Sequence, residues 1–534
     1  MKNSFDNSVV QDPQITAWSP LRQPVFRALW IATVVSNIGT WMHDVGAGWL
    51  MTSLAPSPLM VALVQVATNL PVFLLALPAG ALADVVDRRR LLLVTQGWML
   101  AAAIVLGSLT IAGATTPWVL LSLTFVLALG TAMNAPAWQA ITPELVSRQE
   151  LPAAVTLSGI GINVARAVGP ALGGLIIAAT GPGVVFLLNG VSFLGIITVL
   201  YHWRRPPRES VLPAERFIGA MRAGMRYVRH APALQAVLIR AGAFILFGSA
   251  LWALLPSLAR FELGQGPGGY GILLGLVGLG AIGGATILPR LRQKVAVDKL
   301  VIVTTILFAG ILSTLAFVRD FVILGVTMFV AGAAWMALLS SFNTAAQTVL
   351  PAWVRARALS VYLLIFFGGL AGGSALWGIV ATHAGISRAF IFAALGVIAS
   401  LLTTVRYRLV AGKMLDLTPS LHWPAPAVVN AIEPEHGPVL VMIEYRIDPA
   451  QARDFADAMR DMRKLRLRDG AINWGIFADA ADPSRYVETF IAESWVEHLR
   501  QHERVIVADR EIEARVRAFH QGAAPPVVSH FVHV

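Results

Sequence analysis

The sequence predicts an all-α membrane protein with twelve transmembrane helices in two six-helix bundles, followed by a small C-terminal α+β domain. Three observations carry that expectation. Hydrophobic residues make up 56% of the 534 and charged residues only 13%, with a mean hydropathy of +0.68; a soluble globular chain carries about 25% charged residues. Apolar runs of about twenty residues, the length that crosses roughly 30 Å of hydrocarbon, recur along most of the chain. The character then changes: residues 1–435 hold 28 Lys+Arg against 15 Asp+Glu, whereas residues 436–534 hold 13 against 15.

The apolar runs fall at about 26–52, 58–81, 91–112, 117–141, 152–179, 183–202, 233–259, 268–289, 299–317, 321–343, 358–382 and 387–406. Connections after the even-numbered runs carry seventeen Lys and Arg, including the triplet Arg88, Arg89 and Arg90, and those after the odd-numbered runs carry three, Arg260, Arg319 and Arg388. Positive residues stay on the cytoplasmic side, so both termini are expected inside a bacterial inner membrane. The basic excess thus reads as a topology signal, and nucleic acid is not an expected partner. The start of the chain, up to Ser19-Pro20, lacks the basic n-region and short apolar core of a cleavable signal peptide. Cysteine is absent, which excludes disulfides, thiolate catalysis and Cys-based metal sites.

These signals divide the chain into a cytoplasmic N-terminal tail (1–25), a six-helix bundle (26–202), a central cytoplasmic loop (203–232), a second bundle (233–410), a Pro-containing linker (411–437) and a soluble domain (438–534). Within the central loop, 213–230 sets Phe217, Met221, Tyr227 and Val228 against Arg216, Arg222, Arg226 and Arg229. This is the pattern of a basic amphipathic helix on the membrane surface or of a solvated linker helix. An internal echo relates the halves: Gln139, Pro143 and Arg148 follow the fourth run, Gln347, Pro351 and Arg355 the tenth, and each set precedes a glycine pair, Gly173-Gly174 or Gly372-Gly373. Repeats of this kind place a substrate site at their interface near the midplane.

The loop after the second run reads Gly80-Ala-Leu-Ala-Asp84-Val-Val-Asp87-Arg88-Arg89-Arg90. It resembles the cytoplasmic gate motif of the major facilitator superfamily at Gly80, Asp84, Arg88 and Arg89, and departs from it at Val85 and Asp87. Gly169-Pro170-Ala-Leu-Gly173-Gly174 in the fifth run is similar to the core of that superfamily's antiporter signature, with Ala165 where an upstream glycine is expected. Together with Ser36–Met42 and Asn163-x-x-Arg166, these motifs resemble the branch containing enterobactin-exporter-like and macrolide-efflux-like proteins. The resemblance implies a secondary active exporter with an Asp–Arg latch at its cytoplasmic gate. No Walker-type segment occurs, which points away from ATP as the energy source.

Ionisable residues inside the bilayer cost roughly 2.5–3.5 kcal/mol each near a helix centre and tend to be paired or functional. Asp44, Arg166 and Arg240 lie well inside the runs. Arg240 is near enough to an end for its stem to snorkel outward. Asp44 is the expected proton carrier, since a carboxylate in a partly desolvated cavity can load and unload a proton; a structural role at an outer vestibule is the alternative. Arg166 is expected either to hold an anionic substrate or to pair with Asp44. Gln65 and Asn69, with Asn134 and Asn189, add polar lining or helix-packing hydrogen bonds.

In the tail, 438–448 alternates as a strand, 449–468 reads as a helix, strands follow at 471–478 and 485–492, then helices at 494–503 and 506–519 and a last strand at 526–533. The order βαββαβ is ferredoxin-like and is similar to the dimeric α/β-barrel domains of the antibiotic-biosynthesis-monooxygenase type. No motif transfers their chemistry, so no enzyme activity, cofactor or metal is expected, and the tail is read as dimerising or ligand-sensing. His498 and His502, spaced i, i+4 and flanked by Glu497, Arg500 and Glu503, read as a solvated helix face; Trp474, Tyr486 and Trp495 read as core. The function expected is proton-coupled export of a small amphipathic molecule such as a siderophore, drug or metabolite. A transporter whose tail senses or modifies the substrate, and a non-transporting scaffold or receptor, are the alternatives.

Overall fold

The computed structural model describes residues 16–147, 149–203, 217–351, 353–409, 416–420, 422–424, 426, 428 and 432–533. The side chains at 76, 77, 80, 81, 83–85, 140, 217–223 and 356 lie outside that description. Arg148, Arg204, Arg205, Arg208 and Arg216 of the basic loops therefore lie outside the described residues, and so do the side chains of Arg222 and of the gate residues Gly80 and Asp84.

The helices of the first half are α1 (Pro24–Leu54), α2 (Pro58–Val85), α3 (Arg88–Ile111), α4 (Pro117–Leu145), α5 (Leu151–Thr180) and α6 (Pro182–His202). A connecting helix, α7 (Phe217–His230), leads to α8 (Pro232–Gly248), α9 (Ala250–Ser257), α10 (Pro267–Lys294), α11 (Val297–Phe317), α12 (Phe321–Thr348), α13 (Arg355–Ala384), α14 (Ile386–Ser400) and the short α15 (Thr403–Arg406). Local chemistry sets many of the ends. Proline opens α1, α2, α4, α6, α8 and α10, where its missing N–H costs nothing. Asp87 and Asp320 cap α3 and α12 by accepting from the backbone N–H of Arg90 at 2.8 Å and Ile323 at 2.9 Å. Gly181 and Gly385, at φ of 84° and 91°, make equivalent sharp breaks between α5 and α6 and between α13 and α14, a conformation that favours glycine.

Among the described residues, eleven helical segments are long and apolar enough to cross a membrane. They are α2 to α6, the continuous stretch Pro232–Glu262 through α8 and α9, α10 to α13, and Ile386–Arg406 through α14 and α15. Of the twelve expected spans, the one outside that set is α1. It has 31 residues, but Ser36, Asn37, Thr40, His43 and Asp44 interrupt its apolar run.

Helices α1 to α6 pack among themselves, and α8 to α14 do likewise; α5 lies along α10 and α2 along α13 where the two groups meet. Glycine makes this seam tight. A Cβ added at Gly174 would stand 2.6 Å from the Pro267 carbonyl oxygen, and one at Gly278 would stand 2.5 Å from that of Arg166. A Cβ at Gly378 would stand 3.0 Å from the Leu59 Cα, and the Leu59 N–H donates to Thr382 Oγ1 at 3.1 Å. Arg260 reinforces the same end by donating to Thr52 at 3.0 Å and to Ser53, with its guanidinium 5.2 Å from the Trp49 ring centroid. These close approaches cluster toward the end of the helices far from the C-terminal domain.

That domain is a four-stranded antiparallel sheet in the order β2-β3-β1-β4, built from β1 (Val439–Arg446), β2 (Asn473–Ala478), β3 (Arg485–Ala492) and β4 (Val527–Val532). Val441 stands opposite Phe490 on β3 and opposite His530 on β4. Helix α16 (Ala452–Asp469) follows β1, while α17 (Trp495–Arg504) and α18 (Arg510–Arg517) follow β3. Val439, Val441, Phe455, Met459 and Phe490 fill the core. Glu488 is buried there as an acceptor for Arg466, Tyr445 and Trp474; a buried carboxylate persists when its lone pairs are satisfied in this way. The domain also begins earlier than the linker boundary implies. Ser420 donates its N–H to the Val505 carbonyl at 2.8 Å, and the Nε1–H of Trp423 donates to Glu513 at 3.0 Å.

Candidate functional site

A cavity of about 250 Å³ lies among α1, α3, α4, α5 and α6. Its wall includes, on α1, Thr33, Asn37 and Thr40, at intervals of four and three residues, and, on α4, Thr131, Asn134, Trp138 and Thr142. Such spacing places each set on one helix face. Gln96, Met99, Ser158 and Phe193 complete a wall that mixes polar and aromatic groups, which suits an amphipathic ligand. Thr95 and Asn134 hydrogen-bond across α3 and α4 at 2.5 Å.

Asp44 and Arg166 stand one helical turn beyond the last lining residues of their helices, Thr40 on α1 and Ile162 on α5. Both positions lie toward the closed end of the seam. Asp44 is half-buried on a stretch of α1 gripped from several sides. A Cβ at Gly173 of α5 would stand 2.9 Å from the Met42 Cα, one at Gly46 would meet Phe186 of α6 at 2.9 Å, and one at Gly48 would meet the Tyr270 hydroxyl of α10 at 3.3 Å. His43, buried beside it, has its ring 4.7 Å from that of Phe186 and leaves both nitrogens without a hydrogen-bond partner among the described residues.

The guanidinium of Arg166 lies 5.7 Å from the Trp41 ring centroid, and its buried Nε has no hydrogen-bond partner among the described residues. The two charges do not form an ion pair there; what Arg166 has is an aromatic face and an unused donor. Gly169 packs on Trp41 and Ile38, Gly173 on Met42, and Gly174 and the Pro170 carbonyl on Gly271. The fifth-helix motif thus forms two seams at once, one to α1 and one to α10.

The other expected residues divide. Asn69 donates to the Gln65 carbonyl at 2.7 Å; these two serve α2 itself and do not line the cavity. Asn189 packs against Gly39 between α6 and α1, whereas Asn134 does line the cavity. In the gate segment Arg88 pairs with Glu144 of α4 at 2.9 Å, and Arg89 donates to the Leu200 and Tyr201 carbonyls at 2.7 and 2.6 Å. Those carbonyls close α6, where the helix dipole favours a cation. Arg240 does not snorkel. It is 3% exposed and pairs with Asp298 in the first turn of α11. The uncharged wall residues Thr33, Thr131 and Thr142, together with Gln96 and Ser158, were not among the residues expected from sequence. Their three- and four-residue spacing was the available signal.

Residues 15–534 match the family model described as Transmembrane secretion effector. The chain belongs to this family of major facilitator transporters. Among curated relatives, the Staphyloferrin A transporter of Staphylococcus aureus is 23% identical, over 72% of this chain and 96% of its own length. The Multidrug efflux pump Tap of Mycobacterium tuberculosis is 26% identical over 74% and 96%, and the Enterobactin exporter EntS of Escherichia coli is 25% identical over 66% and 85%. Of solved structures, a POT family transporter in complex with 5-aminolevulinic acid aligns with a TM-score of 0.60 at 13% identity, over 72% of this chain and 96% of that one. A bacterial homologue of the lysosomal transporter Spinster, in an inward-facing conformation, aligns at 0.55 and 14% identity, over 72% and 95%. Family and relatives together make this chain a multi-pass membrane protein, a non-enzymatic secondary transporter that exports small molecules.

Proposed function

We propose that this transporter exports a small amphipathic molecule, such as a siderophore, drug or metabolite, in exchange for protons. Asp44 is the proton carrier and Arg166 the group that meets an acidic part of the substrate. The observation that carries this reading is the placement of both charges one turn past the cavity wall, at the seam where the two helix groups close on each other. A carboxylate there is exposed to alternating sides as the seam opens and closes, and the membrane potential supplies about 2.3 kcal/mol per charge per 100 mV to drive the cycle. The unused donor on Arg166 supports the anion role, since a buried guanidinium without a partner carries a penalty that an acidic ligand relieves.

In the same reading α1 is the twelfth span and both termini are cytoplasmic in a bacterial inner membrane. The clustering of close approaches at the far end corresponds to an inward-open state, with Arg88 and Arg89 in the cytoplasmic gate. The tail is taken as a ferredoxin-like domain, which its strand order supports. Homodimerisation through it is supported by the exposed Phe531 and Val527 on the edge strand β4.

The test is efflux of a panel of siderophores, antibiotics and lipophilic dyes from energised cells expressing the chain. Efflux of at least one compound that an uncoupler abolishes supports the proposal. Efflux that persists at full rate after uncoupling contradicts the proton coupling.

A further inference from the structure

The tail holds a cavity of about 750 Å³, within the size range of small-molecule sites. One wall is the sheet face of Val441, Ile443 and Phe490, and the opposite side is formed by His498 and His502 of α17. Its buried charged groups are already engaged, Arg466 with Glu488 and Glu513 with His422 and Trp423, while Arg517 adds an exposed guanidinium to the wall. Of the buried lining groups, the one left unused is neutral. His498 is 1% exposed, yet its Nε2 has no hydrogen-bond partner among the described residues, and its ring stands 4.7 Å from His530 and 5.1 Å from His502. Burial, reinforced by the neighbouring imidazoles, pushes His498 and His502 down to about 4, so both are uncharged near neutral pH. No metal-binding cluster occurs among the described residues.

The second observation concerns the other face of α17. Glu497, Arg500 and Arg504 recur at intervals of three and four residues, away from the His498–His502 face. Glu497 pairs with Arg226 of α7 at 3.2 Å and with Arg504 at 2.5 Å. Arg504 also lies 4.7 Å from the ring centroid of Trp353, in the connection between α12 and α13. Nearby, Arg468 of α16 stands 5.9 Å from the Tyr227 ring on α7. Helix α7 therefore does not lie on lipid along its described face; it is held between the tail and the membrane helices, with the Tyr227 hydroxyl donating to the Val349 carbonyl.

We infer that the tail cavity binds a largely apolar organic molecule bearing hydroxyl or carbonyl groups, uncharged where it is buried, and that α17 transmits its presence to α7 and Trp353. The buried part is uncharged because each buried ionised group in the wall already has its partner. It is apolar along the sheet face and hydrogen-bonded at His498. A molecule that shifts His498 or His502 moves the helix that carries Glu497 and Arg504, so occupancy alters the grip on the segment joining the two halves of the transporter.

The probe is 2-naphthol, offered to the full chain in lipid nanodiscs, with binding read by equilibrium dialysis and the α7 amides followed by hydrogen exchange. Val528→Phe, which adds bulk to the cavity wall from β4 on the face shared with Ile443, serves beside Trp353→Ala, which weakens the grip and leaves the cavity intact. Saturable binding is expected in the wild type, weakened about tenfold or more in Val528→Phe. Exchange at α7 is expected to change on saturation in the wild type and to stop responding in Trp353→Ala, which still binds. Absence of saturable binding in the wild type, equal binding in Val528→Phe, or binding that leaves α7 exchange unmoved would overturn the inference. None of these readings depends on transport.

Discussion

Gly174 of α5 and Gly271 of α10 pack backbone to backbone: a Cβ on Gly174 would fall 2.9 Å from the Gly271 Cα, and one on Gly271 would fall 2.8 Å from the Gly174 Cα. Neither neighbour is a flexible side-chain end, so the helices themselves must separate to admit a methyl group. The seam must also open during each cycle if transport alternates access, which makes close but uncemented glycine packing suited to it.

Gly174→Ala is therefore expected to force this end of the seam apart, at a cost of about 1–3 kcal/mol. Export should fall at least severalfold while the chain still inserts. Cysteine pairs added across the far end, readable because the natural chain has none, should cross-link more slowly in the variant.

The Arg240–Asp298 pair offers a contrast between two ways of breaking a buried interaction. Asp298→Ala leaves a buried guanidinium without its carboxylate and is expected to cost on the order of 3 kcal/mol. Arg240→Met leaves only a partly exposed carboxylate, which water can solvate, and should cost less. Thermal unfolding of the purified variants, followed by tryptophan fluorescence, gives the ranking.

Acid should loosen the tail well above the usual carboxylate range. His498 and His502 resist protonation in the folded domain until about pH 4, whereas the unfolded chain takes up those protons near pH 6.5. The unfolded state therefore binds more protons throughout that window, and stability falls as pH drops through it. Hydrogen exchange of the β1 amides should accelerate progressively from pH 7 to 4 after correction for intrinsic rates. His498→Phe, which removes one of the two protons from the balance, should flatten the dependence.

Glu497 behaves in the opposite sense. Burial works against its charge, but Arg504, Arg226 and Arg500 outweigh it and hold its carboxyl below the usual value. Its contribution is thus fully present above the unfolded pKa and is lost only as pH falls through the lowered one. Glu497→Gln should release the tail at neutral pH, seen as faster cleavage of the 411–437 segment by an added protease; unchanged cleavage would mean that this pair contributes nothing to docking.

Much of this architecture was legible because membranes impose strong, one-dimensional rules. Charges inside apolar runs drew attention to Asp44 and Arg166, and the glycines from 169 to 174 announced close helix packing before any neighbour was known. The cavity wall was harder to see, because Thr33, Thr131 and Gln96 carry no charge and the same residue types also serve as helix glue, as Gln65 and Asn69 do. Arg240 was misjudged because its partner Asp298 lies near a helix end and reads as part of a loop. His498 was read as solvated from the charges around it. Of those charges Glu497 faces Arg226 of α7, a contact between segments more than a hundred residues apart that no local pattern encodes. Ser36, Asn37 and Thr40, part of the polar interruption that keeps α1 outside the eleven apolar helices, also line the cavity.

The most direct test of the central claim is the pH dependence of export in an Asp44→Asn variant beside the wild type, using a compound that the wild type exports and equal amounts of each protein in the membrane. Loss of gradient-driven efflux, with the remaining transport insensitive to pH, is the predicted result. Full-rate efflux with an unchanged pH dependence in Asp44→Asn would contradict the assignment of Asp44 as the proton carrier.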